Sequence, residues 1–189
     1  SPPAYIAAKR AGVPIVIHEQ NARPGLANKV GARNAAVVAL TFPSSPLAAR
    51  SGQTVVTGLP LRSAIADLAE RRASAEGAGA ARREAAERLG VNPDAPTLLV
   101  TGGSLGALHV NESMTGGADA LPEGAQVIHL TGRGKDEPVR KAVEAAGLSD
   151  RWHVIVYLTT MADALARAAL VVCRPGDGPV AGMETLGLS

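Results

Sequence analysis

Cysteine is nearly absent: Cys173 is the one thiol in 189 residues. That excludes an intramolecular disulfide framework and points to a reducing compartment. Aromatics make up only 2% of the chain. A base-stacking surface cannot be built from so few, and the core has to come from Ala, Val and Leu. The net charge is +2, without a dense Lys/Arg stripe, so nucleic acid is not expected as a partner. There is no CxxC pair, no His pair at ligand spacing and no Asp-x-Asp triplet, so no metal and no cofactor is expected. No apolar run is long enough to span a bilayer, and no signal-peptide core opens the chain. The chain starts at Ser1-Pro2-Pro3 without an initiator Met and stops at Gly187-Leu188-Ser189, just past a helical pattern. It reads as a segment with sheet elements missing at both ends.

What is there suits a globular protein. Hydrophobic residues are 46% and charged residues 19%, enough for a core and too little charge for a disordered chain. The length fits one large domain or two small ones. Apolar runs alternate with helical stretches. Strands are predicted over residues 13–17, 36–40 and 54–56, with helices over 4–9 and 24–33. Ser63 is expected to cap a short helix through residue 68. Residues 70–88 are mostly Ala, Arg, Glu and Gly. They are expected to break at Gly77-Ala78-Gly79 and to resume as an exposed, ion-paired helix over 80–89, a solvated connector. Asn92-Pro93-Asp94 marks a turn. Strands are then predicted over 97–101, 126–130, 153–156 and 170–173, and helices over 107–114, 138–146, 161–167 and 180–186. This alternation implies an α/β fold of two Rossmann-like parallel-sheet units, each incomplete, over residues 1–61 and 62–189. A cleft between two such units is a natural ligand site.

Three segments carry chemistry. In Thr101-Gly102-Gly103-Ser104-Leu105-Gly106-Ala107 a buried strand runs into glycines and then opens a helix. That arrangement aims backbone N–H groups and a helix dipole at one spot, which suits a phosphate. Plain tight turns use glycines in the same way, and no Gly-Lys-Ser/Thr follows to make a Walker loop. A second turn of this kind, Cys173-Arg174-Pro175-Gly176-Asp177-Gly178, is expected at the same carboxyl edge of the sheet. The third segment, His18-Glu19-Gln20-Asn21, ends a buried strand with polar groups that match sugar hydroxyls as donors and acceptors. His129 and His153 lie in apolar strands and are expected as core or edge histidines, and Trp152 as a lone packing residue. Cys173 has no His partner in view and is expected as a small core residue.

Taken in order, His18-Glu19-Gln20-Asn21 with Pro24-Gly25-Leu26 and Asn28-Lys29, Thr57-Gly58-x-Pro60-x-Arg62, Gly102-Gly103-Ser104-x-Gly106-Ala107 with Asn111, and Val172-Cys173-Arg174-x-Gly176 form a set. The set resembles the MurG family of peptidoglycan glycosyltransferases over nearly the whole chain. The resemblance implies the two-domain GT-B fold, with residues 1–61 the later part of the acceptor domain and 62–189 the earlier part of the donor domain. It implies an inverting enzyme that moves N-acetylglucosamine from UDP-N-acetylglucosamine to an undecaprenyl-linked muramoyl-pentapeptide. Such an enzyme sits peripherally on the cytoplasmic face of the bacterial membrane. Carried over by position, Asn21, Arg62 and Ser104 contact the UDP-sugar, Leu158 lies beside the uracil, and Gly102 and Gly103 form the phosphate turn. Glu19 and Asn28 line the acceptor side. No residue of this chain is implied as the catalytic base.

The match has departures. The family's Gly-Ala-x-Thr-x-x-Glu turn reads here Gly176-Asp177-Gly178-Pro179-Val180-Ala181-Gly182. Gly182 stands in the slot of a glutamate that holds the ribose, Pro179 lacks an N–H, and Leu105 replaces a common Gln. Glu184 follows two residues later, about 200° around a helix, so it is no simple substitute. Weakened donor binding is the expectation. Two other readings stay open: a UDP-sugar 2-epimerase, which needs a different acidic and histidine set, and an inactive nucleotide-binding module. A dehydrogenase is disfavoured, because no GxGxxG pattern occurs and no acidic residue ends 126–130.

Overall fold

In a computed structural model the described residues are 2–103, 107–174, 183 and 186–188. They fall into two compact units, Ser1–Pro60 and Leu61–Ser189.

The first unit carries α1 (Pro2–Arg10), β1 (Val16–Glu19), α2 (Leu26–Gly31), a 3-10 turn (Ala32–Asn34), β2 (Val37–Leu40) and β3 (Gln53–Val56). The strands form a parallel sheet in the order β1-β2-β3. Ile15, Ile17, Val38 and Leu40 fill its core, with Tyr5 and Ala8 of α1 packed against them. The sequence pattern placed the first strand three residues too early. The Val13 N–H is taken by the Ala8 carbonyl as α1 ends (2.9 Å), so pairing starts only at Val16, opposite Val37. The second helix also begins later than predicted, at Leu26. Gly25 is its N-cap and keeps extended backbone, with its own N–H given to Glu19.

The second unit carries α3 (Ser63–Arg72), α4 (Ala75–Leu89), β4 (Thr97–Thr101), α5 (Leu108–Gly116), a 3-10 turn (Ala118–Ala120), β5 (Gln126–Leu130), α6 (Asp136–Ala145), β6 (Trp152–Ile155), α7 (Met161–Arg167) and β7 (Leu170–Cys173). All four strands are parallel, in the order β6-β5-β4-β7. Successive strand residues face opposite sides, as pleating requires. Leu99, Ile128 and Leu130 point into one cluster with Ala81, Ala85 and Ala164. Val100 and Val127 point into another with Val139, Val143 and Trp152. Both faces of the sheet are therefore covered, as in doubly wound folds.

Residues 70–90 correct the sequence reading. The break is not at the glycines but at Ala73-Ser74, and α4 runs unbroken through Gly77 and Gly79. The Ser74 hydroxyl accepts the Gly77 N–H (3.1 Å) and caps the helix, worth about 1 kcal/mol. A glycine is needed at 77 because a Cβ there would stand 2.2 Å from the Arg71 carbonyl oxygen. Nor is the helix a solvated connector: Ala81, Ala85 and Ala86 are buried in the core. Its charges do form ion pairs, Arg71–Glu84 and Arg88–Asp163. Ser63 is not the cap of α3 either. Arg62 is the N-cap, without a side-chain cap bond, and the helix extends to Arg72.

Candidate functional site

In the first unit, the residues after β1 are organised by one carboxylate. Glu19 ends the strand with its side chain turned inward, 1% exposed. Its Oε1 accepts from the Asn21 N–H and from Asn21 Nδ2, both at 3.0 Å. Its Oε2 accepts from the Gly25 N–H and from Asn28 Nδ2, again at 3.0 Å. Four donors thus converge on two oxygens, which is the full capacity of a carboxylate. Burial pushes the Glu19 carboxyl upward, but the bonds from Asn21, Asn28 and Gly25 outweigh it and hold the group below its ordinary value. Glu19 is therefore ionised at neutral pH, and its charge serves the loop. The same network fixes Asn21, which stays exposed, and Asn28, which is half-buried.

Two residues outside the predicted set join this network. The Tyr5 hydroxyl donates to Asn28 Oδ1 (2.9 Å), which leaves Asn28 Nδ2 aimed at Glu19. Ser45 donates to the Asn21 carbonyl (3.3 Å). Neither was legible, because both come from elements that only the fold brings to the loop. His18 reaches the Gly58 carbonyl beyond β3 (3.1 Å) and closes the same edge.

In the second unit, the strand order places β4 beside β7, with Thr101 opposite Cys173. Chain direction across the sheet reverses at this pair, since β5 and β6 lie on the other side of β4. Ligands of open α/β sheets sit at such a reversal, outside the carboxyl ends of the strands. Gly102 and Gly103 leave β4 there, with the Gly103 N–H bonded to Thr101 Oγ1 (3.2 Å). Gly103 has φ +83°, a conformation that favours glycine. Ser104, Leu105 and the turn 175–182, with Pro179 and Gly182, lie outside the described residues, as does Glu184. Leu158 follows β6, two strands from β4 and so about 10 Å along the sheet. It is half-buried and packs on the core of this unit. Arg62 is exposed at the start of α3.

Of the residues read as structural, His129 is wholly buried and His153 half-buried, and burial lowers the pKa of both. Burial raises the Cys173 thiol, which keeps it protonated at neutral pH. Trp152 is more than a packing residue, since its indole N–H donates to His129 Nδ1 (3.3 Å). Among the described residues no three His, Cys, Asp or Glu side chains cluster closely enough to hold a metal ion. No helix among them is long and apolar enough to cross a membrane.

Comparison with known proteins fits this geometry. Residues 97–189 match the glycosyltransferase family 28 C-terminal domain, and residues 1–40 match the glycosyltransferase family 28 N-terminal domain. The chain is 45% identical over its whole length to the UDP-N-acetylglucosamine–N-acetylmuramyl-(pentapeptide) pyrophosphoryl-undecaprenol N-acetylglucosamine transferase of Bifidobacterium longum, covering 51% of that protein. It is 43% identical to the transferase of the same name from Clavibacter sepedonicus, with 98% of this chain and 46% of that one covered. The chain spans about half the length of the curated relatives it matches. The crystal structure of Acinetobacter baumannii MurG superposes with a TM-score of 0.67 at 28% identity, covering 95% of this chain and 45% of that one. Two parallel-sheet units of the GT-B type, a carboxylate-ordered loop at one carboxyl edge and matches to both family domains place the chain in glycosyltransferase family 28, as a homologue of MurG.

Proposed function

We propose that the chain belongs to an enzyme that transfers N-acetylglucosamine from UDP-N-acetylglucosamine to the undecaprenyl-linked muramoyl-pentapeptide of peptidoglycan synthesis. Residues 1–61 form part of the acceptor domain and residues 62–189 part of the donor domain. The observation that carries this reading is the Glu19-ordered loop at a carboxyl sheet edge in a chain of this family. A site for a polyol needs amide donors and acceptors held at fixed positions, and the Asn21 amide is held in that way.

In this reading Asn21, Arg62, Ser104 and Leu158 serve the donor. Asn28 stands on the acceptor side, where Glu19 acts through the groups it orients. The Gly102-Gly103 turn receives the diphosphate at the β4–β7 reversal. The Arg62 guanidinium and the N-terminus of α5 supply positive potential to the leaving UDP. The acceptor hydroxyl attacks the anomeric carbon as the bond to UDP breaks, inverting that centre. A general base takes the hydroxyl proton. The acceptor's lipid places the enzyme peripherally on the cytoplasmic face of the membrane.

The test is UDP release from UDP-N-acetylglucosamine by the whole enzyme to which the chain is proposed to belong, with and without a lipid-linked acceptor analogue. Release that requires the acceptor is expected. Sugar epimerisation, or no turnover in either condition, would overturn the reading.

A further inference from the structure

The second unit contains a buried polar chain that the proposed chemistry does not use. His129 sits in β5 with 0% exposure, on the face shared with Val127, where an apolar residue would be expected. One neighbour is the Trp152 indole, whose N–H lies 3.3 Å from His129 Nδ1. The other is Asn111, whose Oδ1 lies 3.0 Å from His129 Nε2. Asn111 is itself 3% exposed and donates from Nδ2 to the Thr131 carbonyl (3.2 Å).

The polarity of every link follows from the first. An indole N–H only donates, so His129 Nδ1 must accept. The single proton of the neutral ring then sits on Nε2 and is donated to Asn111 Oδ1. That fixes the Asn111 amide with Nδ2 toward Thr131. The chain runs one way, from β6 through β5 to α5 and back to the carboxyl end of β5.

Its end point matters. Asn111 lies in the first turn of α5, where its backbone N–H bonds to the Ala107 carbonyl (3.0 Å). That helix starts at Leu108, five residues beyond Gly103, and Asn111 ties its first turn to the Thr131 carbonyl just past β5.

We propose that His129 is a positioning residue for the donor site: locked as the Nε2–H form by Trp152, it holds Asn111 and so sets the first turn of α5 against the carboxyl edge of the sheet. The inference rests on reading the Gly102-Gly103 turn as the diphosphate site. Desolvation supports it, since burial alone pushes the ring down to about 4 and keeps it neutral through the physiological range.

The test uses the full chain as wild type, His129→Leu and His129→Gln. Leu removes both ring nitrogens, whereas Gln keeps one donor and one acceptor. UDP affinity is measured by calorimetry, and hydrogen exchange is followed at the Asn111 amide. His129→Leu is expected to weaken UDP binding on the order of tenfold and to speed Asn111 exchange, with His129→Gln restoring most of both. If His129→Leu lowers only the melting temperature and leaves affinity and local exchange as they were, His129 is a plain core residue and the proposal fails. Should His129→Leu not fold, Trp152→Phe removes the indole donor and keeps an aromatic ring. His129 Nδ1 is then left without its donor, and faster Asn111 exchange is expected. Unchanged exchange overturns the proposal. If wild type does not bind UDP, the donor-site reading falls, while Asn111 exchange still decides the role of His129.

Discussion

At the β1 edge a carboxylate with 1% exposure gathers four N–H donors; at the β5 edge an imidazole with 0% exposure takes one donor and gives one. The first hub works only when charged and the second only when neutral. A charged hub holds an irregular loop, because each oxygen accepts two bonds from backbone and amide groups that regular structure leaves unpaired. A neutral hub suits the interior between β5 and α5, where an unpaired charge would cost several kcal/mol. Each device orders polar groups near the carboxyl end of a strand in its own unit, and both fail on acidification, but over different pH ranges.

The largest effect should come from the charged hub. Glu19→Ala leaves the Asn21, Gly25 and Asn28 donors without their acceptor. It is expected to destabilise the first unit by about 4 kcal/mol in denaturant unfolding, and a loss under 1 kcal/mol would break the comparison. The neutral hub should show next, through pH. The folded His129 pKa is about 4 against an ordinary value of 6.5. Between those values the unfolded chain binds more protons, so stability falls as pH drops from 6.5 to 4, by about 3 kcal/mol in total. His129→Leu should flatten that slope, and an equal slope in both proteins would assign it elsewhere. For Glu19 the folded pKa is lowered, so its contribution holds above its ordinary value and is lost only as pH falls through the folded value. Acidification should therefore loosen the second unit first, as amide exchange in α5 and in residues 20–25 can report.

A smaller effect sharpens the first hub. Tyr5→Phe removes only the hydroxyl that donates to Asn28 (2.9 Å). It should cost about 1 kcal/mol and speed exchange at Gly25. Donor binding is the last comparison. Gly182, Pro179 and Leu105 depart from the family pattern, and each missing buried partner is expected to weaken UDP-N-acetylglucosamine binding by about 1–3 kcal/mol. Tight micromolar binding in calorimetry would contradict that expectation.

The sequence was most legible where apolar runs are bounded by turn residues. Residues 97–101, 126–130, 161–167 and 170–173 are read from the sequence with the bounds the structure has. It misled where local pattern and tertiary contact disagree. Glycines in α4 look like a break, but Gly77 lies against the Arg71 carbonyl and the helix continues through it. Residues 13–17 look like a strand, but α1 claims the Val13 N–H. The polar loop after β1 was visible as a site candidate, yet the inward turn of Glu19 was not. Side-chain direction depends on Asn21, Gly25 and Asn28 closing around one carboxylate, and no spacing rule encodes that closure. His129 was legible as a core residue, while its link to Trp152 and Asn111 depends on strand register.

In the proposed function the loop after β1 is the feature on which activity turns, and Asn21 is its exposed, Glu19-held member. The direct measurement is acceptor-dependent UDP release by Asn21→Ala beside wild type, both as the whole enzyme to which the chain is proposed to belong, with unfolding stability measured on both. The account predicts a loss of kcat/KM on the order of 100-fold, beside a stability loss of about 1–3 kcal/mol from the bond to Glu19. Turnover within about twofold of wild type would contradict it.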